Sequence, residues 1–251
     1  MNSPREIAQG FAALGVKKTE TPVGRLFALA ILAGMFIALA GVGSTVANAA
    51  AGKLAGACVF PAGLAMVVIA GSELFTGDNL MIVSVLEKRI TVRKMLKVLV
   101  IVYLGNLAGS VLVAALASLG GTLGTVSETV VSTAAAKASL GFGTAFVRGI
   151  LCNVLVCIAV WMAAAAKEPA GKLLGLYLPI MVFVLCGYEH SVADMYYLPA
   201  GIFTAGKYGI AAEGLTWGAA LLKNLLPVTL GNLVGGMGVG ACYWGIYLRG
   251  E

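Results

Sequence analysis

The sequence predicts an all-α integral membrane protein of six transmembrane helices, built as two inverted three-helix repeats, with helices two and five broken. Three observations carry this reading. Of 251 residues, 60% are hydrophobic and only 11% are charged, less than half the charged share of an ordinary soluble domain. Four uncharged runs, Leu26–Gly52, Val98–Ser127, Gly149–Ala166 and Asn224–Leu248, are long and apolar; about 20 such residues cross a bilayer core of roughly 30 Å. A motif also recurs half a chain apart. A soluble enzyme of this length would have no way to bury so much apolar surface. The 34 glycines carry no three-residue period, which excludes a collagen-like chain.

Residues 1–24 form a polar to weakly amphipathic N-terminal segment. It lacks a charged start followed by an apolar run, so no cleavable signal peptide is expected. Ile7 with Gln9–Leu14 suits a short interfacial helix or an ordinary tail. The six spans are expected at 25–50, 57–86, 95–119, 141–166, 172–200 and 215–247. Residues 25–119 make the first three-span repeat and 141–247 the second. Residues 120–140, with their Gly/Thr/Ser stretch 120–133, read as the connecting loop, 201–214 as a shorter connection, and 248–251 as a short C-terminal segment.

Lys and Arg set the orientation. With the N-terminus cytoplasmic, 12 of the 17 basic residues fall on that side, among them Arg5, Lys17, Lys18, Arg25 and the cluster Lys88–Lys97. The positive-inside rule then places both termini in the cytoplasm. The net charge of +6 is thereby a topology signal, and no basic stripe interleaved with aromatics points to nucleic acid. Five cysteines without a CxxC pair read as buried apolar residues. One histidine cannot build a multi-histidine metal site, and no metal or cofactor is expected.

Residues 97–109 read KVLVIVYLGNLAG and residues 223–235 read KNLLPVTLGNLVG, with eight of 13 positions identical. A weaker pair, AGSELFTGDN (70–79) and CGYEHSVADM (186–195), falls in spans two and five. With three spans per half, the second half inserts upside down, the plan of many transporters whose site lies where the repeats meet. Gly105, Gly109, Gly231 and Gly235 allow close helix approach. Asn106 and Asn232 put an amide inside an apolar span, positioned either to brace a broken neighbour or to bond another helix.

Spans two and five carry the unusual chemistry. Glu73 and Asp78 lie within one, and Glu189, His190 and Asp194 within the other, each set beside glycines. Charged groups at mid-bilayer face the protein interior or a pore, and non-helical backbone at that depth is tolerated only where it is buried or lines a cavity. Helix ends meeting there would aim N–H groups at an anion.

The phrases GSELFTG, RGILCNVLVCIAVWM, GYEHSVADM and KNLLPVTLGNLVGG, in this order over about 20–245, resemble the signatures of the formate/nitrite transporter family. The resemblance implies an aquaporin-like arrangement, although no Asn-Pro-Ala motif is present. It further implies a homopentamer with a pore in each subunit, embedded in the lipids of a bacterial or archaeal cytoplasmic membrane. The conducted species would be small monovalent anions, formate or nitrite in the first place, with hydrosulfide the alternative. By the same resemblance His190 is the central pore histidine. Thr76 relays a hydrogen bond to it from the loop breaking span two. Lys137, 53 residues before the histidine, is a vestibule lysine. Phe60, Phe183 and Val156 make an outer constriction, and Leu64, Leu74 and Phe75 an inner one. Asn153 and Asn224 are pore-side amides, and Glu189 bonds neighbouring backbone or hydroxyls. Asp194 departs from the asparagine of some members, which leaves its bonding open.

The chemistry is coherent without the family. A weak-acid anion avoids the desolvation penalty of an apolar slit by taking a proton. A lysine concentrates it at the mouth, and a histidine, with an unperturbed pKa of about 6.5, donates a hydrogen bond or proton. An intramembrane serine protease would have only Ser72 and His190, with no GxSG-type elbow around Ser72. A structural scaffold gives no reason for carboxylates, histidine and glycines at mid-span. The chain is therefore expected not to be an enzyme.

Overall fold

The computed structural model describes residues 1–250. Among them there are helices and no strands, and six helices are long and apolar enough to cross a membrane. In order the elements are α1 (Pro4–Glu20), α2 (Val23–Ala51), α3 (Lys53–Val59), α4 (Pro61–Ala70), α5 (Phe75–Asp78), α6 (Ile82–Leu86), α7 (Val92–Leu119), α8 (Ser127–Ala138), α9 (Phe142–Ala165), α10 (Pro169–Cys186), α11 (Ser191–Tyr208), α12 (Trp217–Ala219) and α13 (Leu226–Tyr247). The six spans are α2, α3 with α4, α7, α9, α10, and α12 with α13.

Spans two and five break as the sequence predicts. α4 ends on Gly71 at φ 79° and α10 on Gly187 at φ 71°, a left-handed conformation that glycine adopts without strain. The chain then runs extended and restarts as α5 and α11. Each half packs its first span against its third, α2 on α7 and α9 on α13. The repeated glycines permit this: a Cβ at Gly109 would strike the Ile31 carbonyl, and one at Gly235 the Ile150 carbonyl.

Three expectations about the connections change. The loop 120–140 contains the helix α8, which buries Val130, Val131, Ala134 and Ala138. That is one face of an amphipathic helix, hidden from a reading by Gly/Thr/Ser composition. Span five does not stop at 200. α11 continues through Gly201, which packs against Ala134 of α8, and ends on Gly209 at φ 65°. The N-terminal helix is longer than residues 7–14 and docks on the bundle. Pro4 occupies its first turn, and Ser3 and Glu6 cap each other through Ser3 N–H to Glu6 (2.6 Å) and Glu6 N–H to Ser3 Oγ (3.3 Å). That bonding holds the Glu6 carboxyl below its ordinary pKa. Phe11 stacks on Trp161 (5.4 Å) and Ser84 donates to the Phe11 and Ala12 carbonyls.

The outer surface is apolar: Leu104, Leu116, Leu178, Leu222 and Val234 are exposed, as expected where the surroundings are lipid or another subunit. Two cysteines read as buried, Cys186 and Cys242, lie on this surface, while Cys152 and Cys157 are buried.

Candidate functional site

The two breaks are built alike, and their backbone groups account for each other. In the first half, Glu73 N–H donates to the Leu29 carbonyl (3.3 Å). The Asn106 amide donates to the Ala30 and Glu73 carbonyls (2.8 and 2.9 Å) and its oxygen accepts the Phe75 N–H (2.9 Å). In the second half, Glu189 N–H donates to the Arg148 carbonyl (3.3 Å). The Asn232 amide donates to the Gly149 and Glu189 carbonyls (2.8 and 3.0 Å) and accepts the Ser191 N–H (2.9 Å). The two repeat asparagines thus brace the broken segments. They satisfy backbone groups that the missing helical turn leaves open, which matters where water is scarce. In each half the braced residue is the one between these bonds: Leu74 in the first and His190 in the second.

His190 is buried and is the N-cap of α11: its Nδ1 accepts the Ala193 N–H at 3.0 Å. An imidazole nitrogen accepting a bond carries no proton, so the ring is neutral with its hydrogen on Nε2. Nε2 lies 2.9 Å from Thr76 Oγ1. The histidine therefore donates to the threonine, whose own O–H is left to donate. Thr76 sits in the first turn of α5 and not in the preceding loop. Its carbonyl accepts from Asn153 (3.2 Å), which also donates to the Asn232 carbonyl (2.6 Å).

Two cavities flank this pair on opposite ends of the bundle. One, of about 450 Å³, is lined by Lys53, Phe60, Lys137, Arg148, Phe183 and His190, among others. The other, of about 400 Å³, is lined by Lys17, Lys18, Arg25, Leu64, Glu73 and Leu74, among others. Phe183 stacks over the His190 ring (5.7 Å) and Phe60 packs edge-on against Phe183 (5.6 Å), so the two aromatics line the first cavity beside the histidine. Leu64 and Leu74 line the second. Val156 and Phe75 lie in the packed core, and the Phe75 ring meets Tyr103 edge-on (5.0 Å), because the brace on its N–H turns it toward α7.

Lys137 is less free than a vestibule lysine is expected to be. It pairs with Glu189 (3.0 Å) and Asp194 (2.8 Å), brought within reach by α8 packing on α11. Glu189 accordingly bonds this ammonium and the Asn224 amide (3.2 Å), and not hydroxyls. Asn224, in a π-helical turn at Ala220–Leu225, also donates to the Lys137 carbonyl (3.1 Å). Burial pulls the Lys137 ammonium down, but Asp194 and Glu189 outweigh it and its pKa lies above the ordinary lysine value.

The other half carries a counterpart that the sequence reading passed over. Lys18 of α1 pairs with Glu73 and with Asp78 (2.8 Å). Burial lowers its pKa and Asp78 and Glu73 raise it, with a net rise. The signal was present: Glu73/Asp78 and Glu189/Asp194 share a spacing of five, and the internal repeat pairs them.

The profile of the family described as formate/nitrite transporter matches residues 5–245. A probable formate transporter of Methanothermobacter thermautotrophicus is 38% identical over 98% of this chain and 97% of its own length. The formate channel FocA of Escherichia coli (strain K12) is 36% identical over 98% and 94%. Among solved structures, an FNT family ion channel superposes with a TM-score of 0.87 at 33% identity, covering 96% of this chain and 98% of that one. A pentameric formate channel with formate bound superposes at 0.79 and 33%, covering 90% and 98%. Six apolar spans, two matched breaks and similarity along nearly the whole length agree: the chain belongs to the formate/nitrite transporter family.

Proposed function

We propose that this protein is a channel for small monovalent weak-acid anions, with formate the leading substrate and nitrite or hydrosulfide carried through the same path. The observation that carries this reading is the Thr76–His190 contact of 2.9 Å, which lies between two cavities at opposite ends of the bundle. The similarity to a formate-bound pentameric channel supports formate and a homopentamer. The exposed apolar belt suits subunit and lipid contacts. By the basic-residue count both termini face the cytoplasm.

The steps follow from the side chains. Lysines and arginines at each mouth concentrate the anion. At Phe60 and Phe183 on one side, and Leu64 and Leu74 on the other, it must shed water, which costs several kcal/mol for a charge in a low-dielectric slit. Val156 and Phe75 back these two constrictions from the core. Between them the Thr76 hydroxyl donates to the anion while accepting from His190 Nε2, so a hydrogen bond or a proton offsets that penalty. Asn153 holds the Thr76 backbone, and Asn224 and Glu189 hold Lys137. No covalent turnover is required of any residue.

Purified protein in liposomes tests this. Parallel influx of formate, nitrite and hydrosulfide is expected to exceed protein-free vesicles for at least formate, with no chemical conversion, and bulky carboxylates are expected to be excluded. Equal rates with and without protein for all three anions would reject the channel.

A further inference from the structure

We propose that each half of the channel stores one titratable proton on a paired aspartate and glutamate, Asp194 with Glu189 and Asp78 with Glu73, and that these pairs protonate the anion within the two cavities. The inference rests on the channel reading and adds the group from which the proton comes.

The charge count points there first. Lys137 is clasped by two carboxyl groups, of which Glu189 is 3% and Asp194 0% exposed. Lys18 is clasped likewise by Glu73 and Asp78. One ammonium against two carboxylates leaves a buried net negative charge, which is costly and would repel an arriving anion.

The atoms locate it. Lys137 donates to both oxygens of Glu189, Asn224 donates to Glu189 Oε2, and Lys137 faces Asp194 Oδ1. Both Asp194 carboxyl oxygens are buried with no hydrogen-bond donor among the described residues, and Oδ2 lacks even the ion-pair contact that Oδ1 makes with Lys137. Asp78 repeats the pattern: Oδ1 faces Lys18 and Oδ2 is buried without a donor. The same orphaned oxygen, in the same turn after each break, is an observation made twice. A proton on Oδ2 satisfies that oxygen and makes the cluster neutral.

The other charged and titratable groups around these pairs are few. Lys53, Arg148, His190 and Tyr197 line the cavity of Asp194 and Glu189. Lys17 and Arg25 line that of Asp78 and Glu73. The cations among them, Lys53, Arg148, Lys17 and Arg25, attract the anion and favour release of the proton once it arrives. The step balances: the Oδ2–H bond breaks as an O–H bond forms on a formate oxygen, and the neutral acid crosses. In the opposite cavity the pair there, having released its own proton to bulk water as hydronium, takes the proton from the neutral acid, formate leaves, and hydronium on the entry side restores the proton of the first pair. One proton crosses with each anion.

Infrared spectroscopy of the full-length protein in liposomes tests this. A protonated carboxylic acid band is expected at neutral pH and should vanish on alkaline titration. It should fall by about half in Asp194→Asn or Asp78→Asn and be absent in the double variant. In parallel, the stimulation of formate uptake by acid is expected to drop about tenfold in the double variant. Absence of the band in the unmodified protein would overturn the proposal without any variant having to fold. So would a band unchanged in both single variants, or an unaltered pH profile in the double variant. The two readings separate cleanly. A band without formate flux retires the channel and the donor role, whereas flux without a band retires the carboxyl pairs alone.

Discussion

Replacing Lys137 by methionine is expected to destabilise the folded protein by about 3–5 kcal/mol, the usual consequence of removing one partner from a buried ionic cluster. Methionine keeps the length and apolar stem of the side chain, so packing against α11 changes little. What is lost is the ammonium that pairs with both Glu189 and Asp194. Denaturant-induced unfolding of the purified protein measures this. The diagnostic control restores neutrality instead of charge: adding Glu189→Gln and Asp194→Asn to Lys137→Met should recover most of the lost stability. If the single variant unfolds like wild type, the cluster is not an ionic one. Lys18→Met should cost less, because the Glu73 side chain retains 16% exposure and water compensates part of the loss.

Asn232→Ala has the second largest expected effect. It deletes an amide that bonds the Gly149 and Glu189 carbonyls and the Ser191 N–H. A buried polar group stranded this way costs about 1–3 kcal/mol, so three together amount to several kcal/mol. The loss also falls on either side of His190, whose ring then has no fixed approach to Thr76. Formate flux in liposomes should drop more than in Asn106→Ala, although Asn106 makes the same three kinds of bond. The difference follows from what each brace holds: Asn106 fixes Leu74, an apolar wall residue, and Asn232 fixes the histidine. Equal flux losses in the two variants would mean that the braces act on stability alone.

Much of this architecture is legible in the sequence because a membrane makes its demands visible there. A span must be apolar, so charges and glycines inside one announce a break, as at Gly71–Glu73 and Gly187–Glu189. The repeated LGNL-x-G motif announces both the inverted plan and its paired asparagines. Features set by contacts between distant segments were less legible. Helix α8 looks like a loop by composition, and only its packing against α11 shows why Val130, Val131, Ala134 and Ala138 are spaced as they are. Lys18 counted as one more cytoplasmic cation, although the repeat already matched Glu73 and Asp78 to Glu189 and Asp194. The Phe75 motif position suggests a pore wall. Its ring direction depends on a hydrogen bond from its own backbone to Asn106, which no motif spells out.

The two halves thus share a frame and differ at its centre. One brace holds leucine and the other holds histidine, and Thr76 crosses from the first half to meet that histidine. The function proposed for this chain depends on this asymmetry more than on any other feature. The most direct test is formate flux through liposomes holding equal amounts of folded wild-type and His190→Ala protein, with and without an imposed pH gradient. A loss on the order of 100-fold is expected in His190→Ala, since a preorganised hydrogen-bond donor at the centre of a low-dielectric path typically contributes about that much, and here the imidazole sets the Thr76 hydroxyl as donor. His190→Ala protein that folds, assembles and carries formate at the wild-type rate would contradict it.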